Sequence, residues 1–397
     1  MNDVDRVRTW LSSGEMLAPT GDVPTFVDLT RALLRLGGAP DVGGGAGVGQ
    51  IVDVVGEADH LVFVLIDGLG ADMVTAMPDD AFLRAHLVGE VRSVFLSTTA
   101  CALTTLATGA WPAEHGVPGW WTCLSERGLS ITTLPFVERD TRRPLTELGV
   151  SLEEVLPVPS AWPQMTHEPL TLLPQEIHNG VYSTYAAGDT LRSPYVDFRQ
   201  AVSLICRRVQ SARAPSFTYL YLPQLDELSH RRGARHAEVG QLLLTLDWLL
   251  SDLSRVLAGR ARMVVSSDHG IADVTEDKRF ILSADDPLAA LLRCAPTGEP
   301  SVPIFHVTPG QEEAFAATFA ERFGEVFALV RPDETESLGL WGPGELSPAM
   351  RARLGTFIGV SSSPAIFSFE PCGGAKTHIG IHGGLTPDQM RIPLIVA

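Results

Sequence analysis

The chain has 397 residues, of which 45% are hydrophobic and 19% are charged. This composition excludes a largely disordered protein, and the length fits either two or three domains or one large α/β domain with an insertion. Lys and Arg number 30 against 47 Asp and Glu, and the resulting net charge of −17 argues against nucleic acid or an anionic membrane surface as a partner.

Residues 1–50 form an N-terminal segment with a short helical pattern and a Gly-rich stretch at 43–49. We expect a loop at this stretch rather than a phosphate cradle, because no strand of β-branched residues precedes it. The N-terminus has no apolar signal-peptide core, and no run approaches the roughly 18 apolar residues of a membrane span. We therefore expect a cytoplasmic protein.

The core is predicted from strands that are apolar on both faces, with helical patterns between them. The strands lie at 61–66, 217–222, 263–265 and 392–396, and the clearest helical pattern runs over 237–257. Strands of this kind, alternating with helices, are typical of an α/β fold whose mostly parallel central sheet carries helices on both faces.

A second unit is predicted late in the chain. A strand at 303–307, an amphipathic helix at 311–323 and a strand at 326–330 resemble a βαβ unit. We assign 275–370 to a small inserted cap, and 51–274 together with 371–397 to the α/β core. Beside this cap, the irregular region 125–200 is a second candidate for determining ligand specificity.

Candidate chemical groups follow the predicted strands, where α/β sheets bind their ligands. Taken singly, each has an ordinary explanation as a turn, a helix N-cap or a surface ion pair. Together they supply the mixed nitrogen and oxygen donors of two metal sites suited to zinc, with manganese or iron as alternatives. The candidates are Asp67, Thr98, Thr99, Asp226, His230, Asp268, His269, His378 and His382.

The five cysteines are scattered and show no C-x-x-C spacing, which argues against a disulfide framework and against a cysteine-type zinc site. They are Cys101, Cys123, Cys206, Cys294 and Cys372.

The order of the motifs resembles the alkaline phosphatase superfamily, in particular its type I phosphodiesterase/nucleotide pyrophosphatase family. The resemblance spans about residues 60–397, and the combined pattern is specific although each motif alone is not. It implies an α/β, alkaline-phosphatase-like three-layer sandwich with a mostly parallel central sheet and a small inserted α+β cap. The matching pieces are Leu65-Ile66-Asp67-Gly68, Thr98-Thr99-Ala100, Thr108-Gly109 with Pro112 and His115-Gly116, Asp226 with His230 and Gly233, Ser267-Asp268-His269-Gly270, and His382-Gly383-Gly384-Leu385.

The resemblance also implies a role for each residue. Thr99 would be the nucleophile, with Thr98 as the alternative, and hydrolysis would pass through a covalent phospho-threonine. Two divalent ions, zinc first, would activate the hydroxyl and stabilise the attacking and leaving oxygens. One ion would be held by Asp67, Asp268, His269 and Thr99, and the other by Asp226, His230 and His382, with His378 as the alternative.

One departure from the family pattern and one pair of aromatic residues bear on the substrate. The segment 117–122 has no Asn for phosphate, so Thr122 or a backbone N–H would have to substitute. Trp120 and Trp121 are candidates either for stacking on a flat leaving group or for packing under the cap.

The expected substrate is a small phosphate ester or nucleotide, and a homodimer is left open. A phosphomonoesterase or phosphonate hydrolase is the main alternative, with Lys376 as its one nearby cation. A non-catalytic metal-binding scaffold is a further alternative, which the retained Thr99 disfavours. A sulfatase is disfavoured because the segment from Cys101 lacks the Pro and Arg of the formylglycine motif.

Overall fold

The computed structural model describes residues 2–40, 42–369 and 378–397. Cys372 and Lys376 lie outside the described residues. No helix within the described ranges is both long and apolar enough to cross a membrane.

Helices and strands are found along the whole of the described chain, which begins with three successive helices. The helices are α1 Asp3–Ser13, α2 Phe26–Leu36, α3 Ala46–Val55, α4 Ala71–Thr75, α5 Phe82–Ala85, α6 Thr99–Thr108, α7 Pro112–His115, α8 Leu152–Val155, α9 Val181–Ala187, α10 Phe198–Ser211, α11 Gln224–Arg232, α12 Ala237–Leu257, α13 Glu312–Phe323, α14 Pro332–Ser337, α15 Pro348–Arg353 and α16 Pro387–Met390. The strands are β1 His60–Ile66, β2 Leu87–Arg92, β3 Trp121–Leu124, β4 Leu129–Thr132, β5 Val137–Glu138, β6 Glu168–Pro174, β7 Leu191–Tyr195, β8 Ser216–Leu222, β9 Arg262–Ser266, β10 Ala272–Asp273, β11 Arg279–Leu282, β12 Thr297–Glu299, β13 Val302–Phe305, β14 Phe327–Val330, β15 Phe357–Ser361, β16 Ile366–Phe369, β17 Gly380–Ile381 and β18 Arg391–Val396.

The central sheet has seven strands in the order β2-β18-β9-β1-β8-β6-β7. Strands β9, β1, β8, β6 and β7 are parallel to one another, and β18 is antiparallel to both β9 and β2. The sheet is therefore mixed with a parallel core, and all four strands predicted for it belong to it.

Strand β1 shows why this sheet is buried on both faces. Phe63 and its alternate neighbours pack into a core that includes α2 and α3, whereas Val64 and its alternate neighbours pack into a second core that includes α10 and α12. Side chains alternate across a strand, so a strand apolar at every position needs a helical layer on each side. The predicted three-layer α/β fold is confirmed.

A second seven-stranded sheet has the order β14-β15-β13-β12-β3-β4-β5. Its neighbouring strands are antiparallel, and Trp121 of β3 pairs with Gly298 of β12. The region 275–370 therefore shares its sheet with residues from the irregular region that follows the first core strands. A helix from the N-terminal segment joins it too, since Leu329 N–H donates to Asp3 at 2.9 Å.

The predicted loop at 43–49 is only partly a loop, because α3 begins at Ala46. Val48, Ile51 and Val55 of α3 are fully buried. This apolar stripe, at the spacing of a helix face, outweighs the low helix propensity of Gly47 and Gly49.

Candidate metal centre and active site

Three acidic residues lie at the carboxyl ends of three adjacent parallel strands. Asp67 follows β1, Asp268 follows β9, and Asp226 is carried by α11 directly after β8. Parallel strands that end at one edge bring such residues together without any proximity in sequence. The structure thus assembles the separate sequence motifs at a single place.

The first group, which we call the inner cluster, consists of Asp67, Asp268 and His269. One potential ligand atom from each lies within 4.8 Å of the others. His269 Nε2 is 3.4 Å from a carboxylate oxygen of Asp67 and 3.4 Å from one of Asp268, and these side chains are at most 3% exposed. The side chains of the adjacent Asp268 and His269 therefore converge on one place.

The second group, the outer cluster, consists of Asp226, His230 and His382, again with one potential ligand atom each within 4.8 Å. Residues 226 and 230 are four apart in α11, so they share a helix face and their side chains meet at 3.2 Å. His382 Nε2 lies 3.9 Å from Asp226, and the His382 ring stacks on His269 at 3.8 Å between centroids. The two clusters are therefore contiguous.

His378 lies beside the outer cluster rather than within it. The His378 ring stacks on His230 at 4.3 Å between centroids, and His378 lines the cavity onto which the two clusters open. Burial, followed by the charge of His230, lowers the pKa of His378 to about 4.

The two candidate threonines differ in their partners. Thr99, the first residue of α6, has its hydroxyl 3.2 Å from His269 Nε2 at the inner cluster. The Thr98 hydroxyl instead donates to Glu299 at 2.5 Å, and although Thr98 is the N-cap residue its side chain does not cap the helix. Only the Thr99 hydroxyl is therefore directed at the potential metal ligands.

The electrostatics of the inner cluster fit a cation. Burial, followed by the charges of the neighbouring carboxylates, raises the pKa of Asp67 well above its usual range, and burial also raises the pKa of Asp268. One oxygen of each, together with Asp226 Oδ1 and His382 Nδ1, is buried without a hydrogen-bond partner among the described residues. Buried anionic oxygens without donors are costly, and cations would satisfy them.

The outer cluster is partly compensated by its own charges. Burial alone would lower the pKa of His230, but the charge and hydrogen bond of Asp226 outweigh it and raise that pKa to about 9. His230 is also oriented from behind, because its Nδ1 lies 2.8 Å from the carbonyl of Gly380. A histidine fixed at one nitrogen by a carbonyl is the usual arrangement of a metal-binding imidazole.

The close approach of the two clusters depends on Gly68. Its φ is +75°, and a Cβ there would lie 3.0 to 3.1 Å from atoms of Asp226. A larger residue would be strained and would displace that carboxylate.

A cavity of about 1060 Å³ opens from the clusters. Thr99, Asp226 and His382 lie at its polar end, and much of the remaining wall is apolar. Trp120 and Trp121 both line it, and the Arg139 guanidinium lies over the Trp121 ring at 3.9 Å. A ligand with a polar, anionic end and a flat or apolar body fits this division.

Two residues that the sequence did not single out complete the surroundings. The Tyr221 hydroxyl donates to Oδ2 of Asp67, whereas Oδ1 is the oxygen of this carboxylate that has no hydrogen-bond partner among the described residues. Glu299 accepts hydrogen bonds from the hydroxyl of Thr98 and, at 3.1 Å, from the Trp120 N–H. Burial raises the pKa of Glu299 to about 7.

The position of Tyr221 in a strand directly before the acidic motif was a usable signal. Glu299 carried none, because it comes from the second sheet. Thr122, expected as a substitute for the missing Asn, is buried with its hydroxyl 3.2 Å from that of Thr133, and it does not line the cavity.

Comparisons with known proteins show the family of the chain and its fold. The sequence profile of the family described as "Type I phosphodiesterase / nucleotide pyrophosphatase" matches residues 61–362. No curated protein sequence matches.

Solved structures of the same fold include murine ectonucleotide pyrophosphatase/phosphodiesterase 5, with a TM-score of 0.63 and 16% identity over 84% of this chain and 87% of that one. An inactive threonine-to-alanine variant of the murine protein in complex with AMP has a TM-score of 0.62 at the same identity and coverage. The human protein has a TM-score of 0.63 and 16% identity over 85% of this chain and 87% of that one.

Proposed function

The chain belongs to the type I phosphodiesterase/nucleotide pyrophosphatase family, and from this premise we propose that it cleaves phosphodiester or nucleotide pyrophosphate bonds with Thr99 as its nucleophile. Family membership makes the chain a hydrolase of phosphate esters. The proposal adds the covalent route, two divalent metal ions and the assignment of each residue.

The observation that carries the proposal is the placement of the Thr99 hydroxyl at the inner cluster, 3.2 Å from His269 Nε2. Asp67 and Asp268 of this cluster each have one buried carboxylate oxygen without a hydrogen-bond partner among the described residues. A threonine hydroxyl is a weak nucleophile unless its proton is removed or its oxygen is stabilised as the anion. A scaffold would need no such hydroxyl at the ligands, so the arrangement favours catalysis.

Two metal ions fit the six ligands. Asp67, Asp268 and His269 would hold one, and Asp226, His230 and His382 the other, with zinc favoured by the mixed oxygen and nitrogen donors and manganese or iron as alternatives. When bound, such a pair stabilises an alkoxide at neutral pH and the negative charge on the attacking and leaving oxygens.

The chain's own residues set the geometry of attack. The Thr99 oxygen attacks phosphorus, the leaving alcohol or phosphate departs, and the phosphoryl group with its retained substituent stays on Thr99 as a phospho-threonine ester. Water then cleaves that ester and restores the hydroxyl. Thr99 also begins α6, whose first N–H groups are not capped by Thr98, so they are available to the phosphoryl oxygens.

The cavity supports a small substrate with a flat or apolar group. Trp120 and Trp121 at its wall can stack on a ring, and the murine relative has been captured with AMP. We therefore propose a nucleotide or a comparable aromatic phosphodiester as the substrate class.

The test is the ratio of hydrolysis of bis-p-nitrophenyl phosphate to that of p-nitrophenyl phosphate by the zinc-loaded enzyme, with Thr99→Ala as the control. We expect a clear preference for the diester, lost in Thr99→Ala. A monoester preference would instead assign a phosphomonoesterase. Metal binding without turnover of either ester, or of a nucleotide pyrophosphate, would favour the scaffold.

A further inference from the structure

A third group of potential metal ligands lies in the second sheet, away from both clusters. It consists of Cys123, Cys294 and His306, whose ligand atoms lie within 4.8 Å of one another. Cys123 is in β3, Cys294 precedes β12, and His306 directly follows β13. Since β12 lies between β3 and β13, three neighbouring segments of one sheet supply one ligand each.

The imidazole of His306 is the least easily explained member. The side chain is fully buried, and the Thr297 hydroxyl lies 2.8 Å from its Nε2. Its Nδ1, however, is buried without a hydrogen-bond partner among the described residues. A buried nitrogen in that condition is destabilising.

We propose that Cys123, Cys294 and His306 form a third metal site, which takes a thiophilic divalent cation such as Zn²⁺. Two sulfurs and an imidazole nitrogen are ligands of the kind zinc prefers, and a water can complete the tetrahedron. Cys294 is partly exposed, so solvent can reach the group.

A metal ion at this third site would link the segments of the second sheet that border the cavity. Trp121 lies two residues before Cys123, and Glu299 lies in the strand that follows Cys294; both line the cavity. A cation at the third site would thereby hold this wall without contacting the substrate. We expect its loss to raise KM more than it lowers kcat.

Cobalt spectroscopy distinguishes the third site from the proposed catalytic pair. The inner and outer clusters offer only oxygen and nitrogen, so a sulfur-to-cobalt charge-transfer band can arise only where Co²⁺ binds cysteine. Fully reduced, metal-free full-length protein is titrated with Co²⁺. We expect the band to appear during the titration and to saturate at one cysteine-bound Co²⁺ per chain, in the wild type and in Thr99→Ala alike, because this site does not depend on the proposed nucleophile.

The ligand assignment is tested with Cys123→Ser and Cys294→Ser, which should each lose the band, against Cys206→Ser as the matched control, which should retain it. A second measurement needs no variant: because Cys294 is partly exposed, Zn²⁺ should slow its alkylation in the wild type by about tenfold or more, without slowing that of Cys206. No band in the reduced protein, or a band retained in Cys123→Ser, would overturn the proposal, as would alkylation of Cys294 that Zn²⁺ does not slow.

Discussion

The inner and outer clusters stand side by side but are built differently. The inner cluster has two carboxylates to one imidazole and is at most 3% exposed, whereas in the outer cluster His230 is 18% exposed and is paired with Asp226. A bound cation would therefore balance more of the charge of the inner cluster than of the outer cluster, where His230 and Asp226 partly balance each other. The Thr99 hydroxyl lies against the cluster with the greater need for positive charge.

The strongest test of this difference between the two clusters is to remove the Thr99 hydroxyl at the inner cluster. Thr99→Ala should lower kcat by about 10³-fold or more while the metal content stays unchanged, because the nucleophile is lost and the ligands are not. The matched control is Thr98→Val, because the hydroxyl that this variant loses donates to Glu299 and is not directed at the potential metal ligands. Metal analysis and steady-state kinetics on both variants check this; equal losses would contradict the assignment.

The outer cluster is tested at its histidines. His382→Ala should remove about one metal ion per chain and lower turnover by about 10²-fold or more, because it deletes a direct ligand. His378→Ala, which removes a ring stacked on His230, should leave the stoichiometry unchanged. Metal counting after dialysis decides between them, and the reverse result would make His378 the ligand.

A smaller effect is expected from the residue that orients Asp67. Tyr221→Phe removes the hydroxyl that donates to this carboxylate, and outer hydrogen bonds of this kind are worth about 10- to 100-fold in metal affinity. Competition with a chelator measures the change. Tyr219→Phe is the matched control, because that ring lies in the same strand and stacks on Phe63. If both variants bind metal as the wild type does, Tyr221 has no such role.

A substitution at Glu299 should affect turnover least, and its predicted effect is on stability. Burial raises the pKa of this carboxyl from 4.5 to about 7. The folded state holds this proton more tightly than the unfolded state, so the wild type loses stability as pH rises from about 4.5 to 7. Glu299→Gln keeps an oxygen for Thr98 and Trp120 without the charge.

In metal-free protein, Glu299→Gln should therefore be more stable than the wild type by about 2 to 3 kcal/mol at pH 8, and the difference should vanish near pH 4. Urea unfolding at both pH values measures this. A constant difference across the pH range would show that the carboxyl does not titrate in this interval.

Much of the architecture was predictable because local patterns in the sequence encode it. The helix Ala237–Leu257 and the ligand pair on α11 follow from apolar periodicity and a four-residue spacing. The pairing of Trp121 with Gly298 joins segments far apart in sequence, and no local pattern encodes it. The same distance hid Glu299 and the grouping of Cys123 with Cys294, which spacing rules treat as scattered. The cytoplasmic location and the homodimer stay predictions.

The central claim, attack by Thr99 itself, is tested most directly by the stereochemistry at phosphorus. A chiral phosphorothioate diester of known configuration is hydrolysed in isotopically labelled water, and the configuration of the product is determined. Attack by Thr99 followed by attack of water comprises two in-line displacements, so the account predicts net retention. Net inversion would mean a single displacement by water and would contradict it.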